Sequence, residues 1–110
     1  MKIAMVFPIA VLGVILALGS CSAPTSGTGN SVNIQSFAFN PATLTVEAGT
    51  TVTWTNEDST PHTIVSDSGS ELNSPDLNQG GVYTHTFNAA GTYAYHCGIH
   101  TYMKGTVIVQ

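Results

Sequence analysis

The sequence predicts an all-β domain, and three observations support this prediction. Past residue 31, apolar and β-branched residues alternate with polar ones in short runs, which is the period of a half-buried strand. Turn-forming clusters such as Asn40-Pro41 and residues 47–50 separate these runs at short intervals. No stretch of this region has the apolar spacing of a helix of ordinary length. Several short strands with frequent turns are typical of a β-sandwich or a β-barrel.

The first 20 residues have the pattern of an export signal. A short basic start with Lys2 is followed by the apolar run 3–18, and small residues then lead to Cys21. The run contains Pro8 and is shorter than the roughly 20 residues that a membrane-spanning helix needs. We therefore expect residues 1–20 to be a signal peptide, and an uncleaved N-terminal anchor is the alternative.

The end of this signal, Leu18-Gly19-Ser20-Cys21, resembles the bacterial lipobox. The resemblance implies a lipoprotein-type signal peptide and lipidation of Cys21, which would hold the protein on the periplasmic side of a membrane. An ordinary signal that ends near a cysteine is the alternative. Residues 21–31 then comprise the lipidated cysteine and a flexible linker rich in Ser, Thr and Gly. The folded domain is expected to comprise residues 32–110.

The strands of this domain can be assigned in order from the alternation of residue types. We expect strands at 32–34, 37–39, 43–46, 51–55, 62–65, 82–87, 92–96 and 105–109. The alternation is clearest in the fourth run, where Val52 and Trp54 share one face and threonines occupy the other. Residues 66–81 are rich in Ser, Asn, Asp and Gly and predict a long loop with at most a short turn of helix.

Charged residues are sparse, and the balance is acidic. The chain has six acidic residues against two basic ones, and Lys104 is the only basic residue after the signal. Nucleic acid binding is excluded because neutralising phosphates requires clustered lysine and arginine. The acidic surface suits a basic redox partner, although solubility alone also explains it.

Three residues near the end of the chain have side chains that bind soft metals. Cys97, His100 and Met103 are each separated from the next by two residues. A thiolate, an imidazole and a thioether form the ligand set of a type 1 copper site if one more histidine is added. Each of the three residues has an ordinary interpretation when it is taken singly. The cysteine and the methionine could be buried core residues, and the histidine could be a surface residue. The domain has no second thiol with which Cys97 could form a disulfide. This lack and the spacing of the three residues favour a copper site.

The second histidine can be selected by the direction of side chains along strands. His96 neighbours Cys97 and points to the opposite face of its strand. His85 lies in mid-strand with Tyr83 and Phe87 on its own face, so we expect a partly buried histidine at the edge of the core and not a ligand. His62, at the start of the fifth run, is therefore the expected fourth ligand.

Residues 37–110 resemble a cupredoxin of the plastocyanin and amicyanin type. The matching residues are Phe39-x-Pro41, Val46-x-x-Gly49-x-x-Val52-x-Trp54-x-Asn56, Pro61-His62-Thr63 and Gly91-Thr92-Tyr93-x-Tyr95-His96-Cys97-x-x-His100-x-x-Met103-x-Gly105. The resemblance implies a Greek-key β-sandwich that binds one type 1 copper per chain. It also implies single-electron transfer between Cu(II) and Cu(I), without enzymatic activity. The ligand roles fall on four residues: His62, Cys97, His100 and Met103.

The resemblance also leads to expectations about partners and about the ligand loop. A monomer would dock redox proteins, for example a c-type cytochrome or an oxidoreductase, near His100, Ile99 and Tyr102. A copper chaperone or copper store of the cell envelope, without electron transfer, is the alternative function. Ile99 stands where amicyanins usually have a proline, and unlike proline it has a backbone N–H. We expect this N–H to donate a hydrogen bond to the Cys97 sulfur, in addition to one from the backbone N–H of Thr63.

Overall fold

Two four-stranded sheets form the computed structural model, which describes residues 29–110. The strands are β1 (Ser31–Gln35), β2 (Ala38–Asn40), β3 (Thr43–Val46), β4 (Thr50–Asn56), β5 (Val65–Ser66), β6 (Val82–Phe87), β7 (Gly91–His96) and β8 (Lys104–Val109). No helix forms within residues 29–110, so none there is long and apolar enough to span a membrane. The all-β prediction is confirmed. The predicted signal peptide and Cys21 lie outside the described residues.

The two sheets are mixed, and the chain moves from one to the other at five of its seven connections. The first sheet has the order β2-β1-β4-β6, and the second has the order β3-β8-β7-β5. β1 pairs with β4 in parallel, as β3 does with β8, whereas the other neighbours are antiparallel. Parallel neighbours cannot be joined by a tight hairpin, so each such pair requires a crossover between the sheets. The predicted Greek-key β-sandwich is therefore confirmed.

The core between the sheets is centred on Trp54, which is fully buried as the alternation in β4 predicted. Its ring lies 5.6 Å from that of Tyr95, 5.7 Å from that of Tyr83 and 6.4 Å from that of Phe87. β8 passes close to the same cluster. A Cβ atom at Gly105 would lie 2.4 Å from the Tyr95 phenol, so only glycine fits there. Packing of this kind makes the centre of the sandwich rigid.

The fifth predicted strand, 62–65, is wrong in extent. His62 makes only a single bridge with Leu77, and β5 is reduced to two residues, Val65–Ser66. The backbone N–H of Ile64 donates to the Ser74 hydroxyl at 2.8 Å instead of to a strand carbonyl. A side-chain hydroxyl thus replaces a ladder acceptor at Ile64, although the Ile64 carbonyl still accepts the Ser74 N–H at 2.9 Å. The long loop 66–81 is present, and it contains no helical turn.

The strand register brings three connections to one end of the sandwich. Ile34 near the end of β1 is opposite Asn56 at the end of β4, and the N–H of Glu57 donates to the Ile34 carbonyl. In the other sheet, His96 at the end of β7 is opposite Lys104 at the start of β8. The β1–β2 turn, the loop after β4 and the loop after β7 therefore meet at this end.

Candidate metal centre

Three of the four predicted ligand residues converge at this end. The Nδ1 atoms of His62 and His100 each lie 3.7 Å from the Cys97 sulfur. Potential ligand atoms of the three residues all fall within 4.8 Å of one another. His62 and Cys97 are fully buried, and His100 is half-buried. Two imidazole nitrogens and one thiolate sulfur around a single point form the trigonal donor set that fits copper.

Met103, the fourth predicted ligand, is buried at the end of the loop that Cys97 begins. The Cys97 N–H donates to the Met103 carbonyl at 3.0 Å, and the Met103 N–H donates to the His100 carbonyl at 2.9 Å. These two hydrogen bonds close the loop, and they fix the positions of Cys97, His100 and Met103 relative to one another.

The other two histidines lie outside the cluster, as predicted. His96 Nδ1 is 2.6 Å from a carboxylate oxygen of Asp67. His85 Nε2 is 2.6 Å from a carboxylate oxygen of Glu71, and its ring packs against Phe87. Each of these histidines therefore has a carboxylate partner of its own near the surface.

Gly98 allows the ligand loop to approach the segment that carries His62. A Cβ atom at Gly98 would lie 2.9 Å from Thr63 Oγ1 and 3.2 Å from Val65 Cγ2. Instead, the Gly98 N–H donates to Thr63 Oγ1 at 2.7 Å. This hydrogen bond joins two segments that are 35 residues apart, and it fixes the distance between the two halves of the site.

The Cys97 sulfur accepts hydrogen bonds from two backbone amides. One comes from Thr63, as expected, at 3.4 Å. The second comes from His100, also at 3.4 Å, so the expectation that Ile99 would supply it is wrong. The loop turns back at His100, whose carbonyl binds the Met103 N–H, and this turn directs the His100 amide at the sulfur. The absence of a proline at 99 therefore does not provide the second donor.

The environment of Cys97 favours the thiolate. Burial acts to raise the pKa of Cys97, but hydrogen bonds outweigh it and lower the pKa to about 6. The leading donors are the backbone amides of Thr63 and His100. Hydrogen bonds to the charged form stabilise that form, and the thiolate is the species that binds metal.

The metal-free protein should become more stable as the pH rises from about 6 to 9. The pKa of Cys97 is about 6 in the folded protein against an ordinary value of 9.0, so in this window only the folded chain holds a thiolate. The unfolded chain then binds more protons, and stability rises with pH. This contribution is complete above the unfolded pKa and is lost as the pH falls through the folded pKa. Urea unfolding midpoints of the wild type relative to Cys97→Ser measure it. Ultraviolet thiolate absorbance that develops only near pH 9 would contradict it.

Sequence reasoning missed Asp58, which contacts the far side of the buried histidine. Its Oδ2 lies 2.9 Å from His62 Nε2, and its carboxylate also accepts the N–H groups of Ser36 and Phe37 at 2.8 and 2.9 Å. The hydrogen bond from the Phe37 N–H is foremost in lowering the pKa of Asp58, against the opposing effect of burial. An acidic residue four positions before a candidate ligand was the available signal.

Phe37 was also missed as a component of the site. Its ring lies 5.0 Å from that of His62 and 4.9 Å from that of His100, edge-on to both. The side chain is 39% exposed, and Ile99 and Tyr102 nearby are 48% and 68% exposed. Phe37 and Tyr102 place aromatic rings beside the half-buried His100, at 4.9 and 6.2 Å between ring centroids.

Comparison with known sequences identifies the family. The family model described as a cupredoxin-like domain matches residues 8–109. Amicyanin-alpha from Methylorubrum extorquens is 36% identical over 101 residues, which cover 86% of this chain and 85% of that protein. The chloroplastic plastocyanin of Tetradesmus obliquus is also 36% identical, over 125 residues that cover 99% of this chain and 81% of that protein.

Comparison with solved structures agrees. The Cu(I) form of a methionine-to-alanine mutant of amicyanin superimposes with a TM-score of 0.70 at 34% identity, covering 79% of this chain and 86% of that one. A purple cupredoxin from Nitrosopumilus maritimus superimposes with a TM-score of 0.69 at 35% identity, covering 74% and 100%. The fold, the donor set and these similarities together show that the chain belongs to the cupredoxin family.

Proposed function

We propose that this protein is a blue copper protein that carries single electrons between redox partners. One copper per chain would be bound by His62, Cys97 and His100, with Met103 as a fourth, weaker ligand. The observation that supports this most directly is the approach of both imidazole Nδ1 atoms to the Cys97 sulfur at 3.7 Å. This donor set is typical of blue copper sites that transfer electrons.

Copper, when bound, would supply a one-electron couple between Cu(II) and Cu(I). The surrounding residues would determine how far the donors must rearrange when the oxidation state changes. His62 and Cys97 are fully buried and held by hydrogen bonds, so the donors cannot rearrange freely between the two oxidation states. The two amides that donate to the sulfur stabilise negative charge on it. His100 is the half-buried member of the set, and it offers the shortest path from the site to the surface.

Redox partners would dock over His100. The exposed side chains of Ile99 and Tyr102 provide apolar surface there, and weak redox encounters need only small interfaces. The acidic balance of the chain favours a partner with a basic docking face, for example a c-type cytochrome. We propose that the protein works as a monomer.

We propose further that the protein is exported and held at the periplasmic side of a membrane by a lipid on Cys21. The support is the sequence pattern of residues 1–20 and the lipobox-like residues before Cys21.

The visible and EPR spectra of the Cu(II)-loaded full chain test the proposal. We expect an intense blue thiolate-to-copper band and a narrow copper hyperfine splitting. His62→Ala should abolish both, whereas His85→Ala should leave both unchanged, because His85 pairs with Glu71 away from the cluster. A pale wild-type spectrum would contradict the proposal, and a copper chaperone or store of the cell envelope would then be the better interpretation.

A further inference from the structure

The turn between β1 and β2 has a backbone conformation that its residues disfavour. Ser36 and Phe37 have φ values of 56° and 57°, and they are the two central residues of this hairpin. Two-residue turns with positive φ at both positions are preferred by Asn-Gly and Asp-Gly pairs. A serine followed by a bulky aromatic residue therefore carries a conformational cost here, and such conformations persist only where the surroundings hold them.

The Asp58 carboxylate is the group that holds this turn. Both amides of the turn donate to it, Ser36 to Oδ1 at 2.8 Å and Phe37 to Oδ2 at 2.9 Å. Asp58 is itself fixed by its own N–H, which donates at 2.9 Å to the side-chain oxygen of the buried Asn56. The turn conformation then places the Phe37 ring edge-on to His62 and His100.

The same carboxylate determines which nitrogen of His62 faces the site. A carboxylate with two amide donors has only acceptor capacity left, so His62 Nε2 at 2.9 Å must carry the proton. The Nδ1 atom, 3.7 Å from the Cys97 sulfur, then presents its lone pair to the metal position. A carboxylate behind a ligand histidine also raises the basicity of that ligand.

We propose that Asp58 is a positioning residue that fixes the tautomer of His62, seats the Phe37 ring over the two histidines, and lowers the reduction potential of the bound copper. The first two effects concern the metal-free fold. The third rests on the proposed function. A negative charge beside a ligand imidazole favours the more positive oxidation state, so removing it should raise the potential.

Asp58→Asn tests the third effect, with Asp67→Asn as a matched control. Both variants remove one carboxylate that contacts a histidine, but Asp67 contacts His96, which lies outside the cluster. In the copper-loaded full chain we expect Asp58→Asn to keep a blue band, to raise the reduction potential, and to weaken Cu(II) binding about 10- to 100-fold. Asp67→Asn should shift both quantities clearly less. Equal shifts in the two variants, or a lower potential in Asp58→Asn, would overturn the proposal.

The tautomer can be tested in the wild type, so the proposal does not depend on the folding of a variant. Long-range proton–nitrogen NMR spectra of the metal-free protein, at a pH where His62 is neutral, should show the proton on Nε2 alone. A proton on Nδ1 would overturn the proposal whatever the copper measurements give. If the wild type lacked a blue band while His62 kept the Nε2 proton, the proposed function would fail and the positioning role would stand.

Discussion

Replacement of Asn56 by leucine is expected to lower the free energy of unfolding by about 3 kcal/mol. The Asn56 side chain is fully buried and donates to the carbonyls of Thr60 and Leu77 at 2.9 and 2.7 Å. Its oxygen accepts the N–H of Asp58. Leucine has a similar size but removes all three hydrogen bonds, and it leaves the Thr60 carbonyl and the Asp58 N–H without a partner, whereas the Leu77 carbonyl keeps the His62 N–H at 3.1 Å. Each group that loses its partner in this way costs about 1–3 kcal/mol. Urea unfolding of the metal-free protein measures the loss.

Asn33→Leu is the matched control for this experiment. Asn33 lies on β1 with its side chain exposed, so the same substitution there should change stability by no more than about 0.5 kcal/mol. Asn56→Leu should also weaken copper binding, because Asn56 orders the loop that carries Asp58 and His62. Similar unfolding midpoints for the two variants would mean that water satisfies the Thr60 carbonyl and the Asp58 N–H once the Asn56 amide is gone.

Trp54→Ala is expected to have the largest effect on stability, with a loss of about 3–5 kcal/mol. The indole is fully buried, and three aromatic rings surround it, those of Tyr83, Phe87 and Tyr95. The neighbouring rings belong to strands of both sheets, so they cannot close the cavity without moving the sheets out of their packed arrangement. Small domains have a total stability of about 5–15 kcal/mol, so this loss brings the variant close to unfolding at ordinary temperature.

The exposed aromatic Tyr102 provides the comparison for Trp54. Its side chain is 68% exposed, so Tyr102→Ala should leave the unfolding midpoint almost unchanged. Circular dichroism during thermal unfolding distinguishes the two variants directly. A Trp54→Ala protein that unfolds at the wild-type temperature would show that the centre of the sandwich repacks, contrary to the rigid core described above.

Alternation of residue types predicted the regular strands well, because a strand with one buried face needs apolar residues at every second position. β4 is the clearest example, since Val52 and Trp54 are both fully buried, as expected. The segment 62–65 was predicted as a strand on the same grounds. There the Ile64 N–H donates to the Ser74 hydroxyl, and residue type alone does not reveal a partner ten residues away.

The site was predictable where it depends on spacing along the chain and unpredictable where it depends on contacts across the fold. The spacing of Cys97 and His100 marked the loop, and pleat direction selected His62. Phe37 meets the site through a turn whose residues contradict local preference, so local preference could not have placed it there. The second amide at the sulfur belongs to His100 because of the way the loop closes, which sequence spacing does not specify.

The parallel pairing of β3 with β8 has a consequence for how the protein is made. β3 is an edge strand whose only neighbour is β8, and β8 lies between β3 and β7. The second sheet therefore cannot be completed until residue 109 has left the ribosome, although β3 emerges more than half the described chain earlier. Pairings this distant in sequence are slow to form. Completion of the second sheet is therefore expected to be a late step in folding.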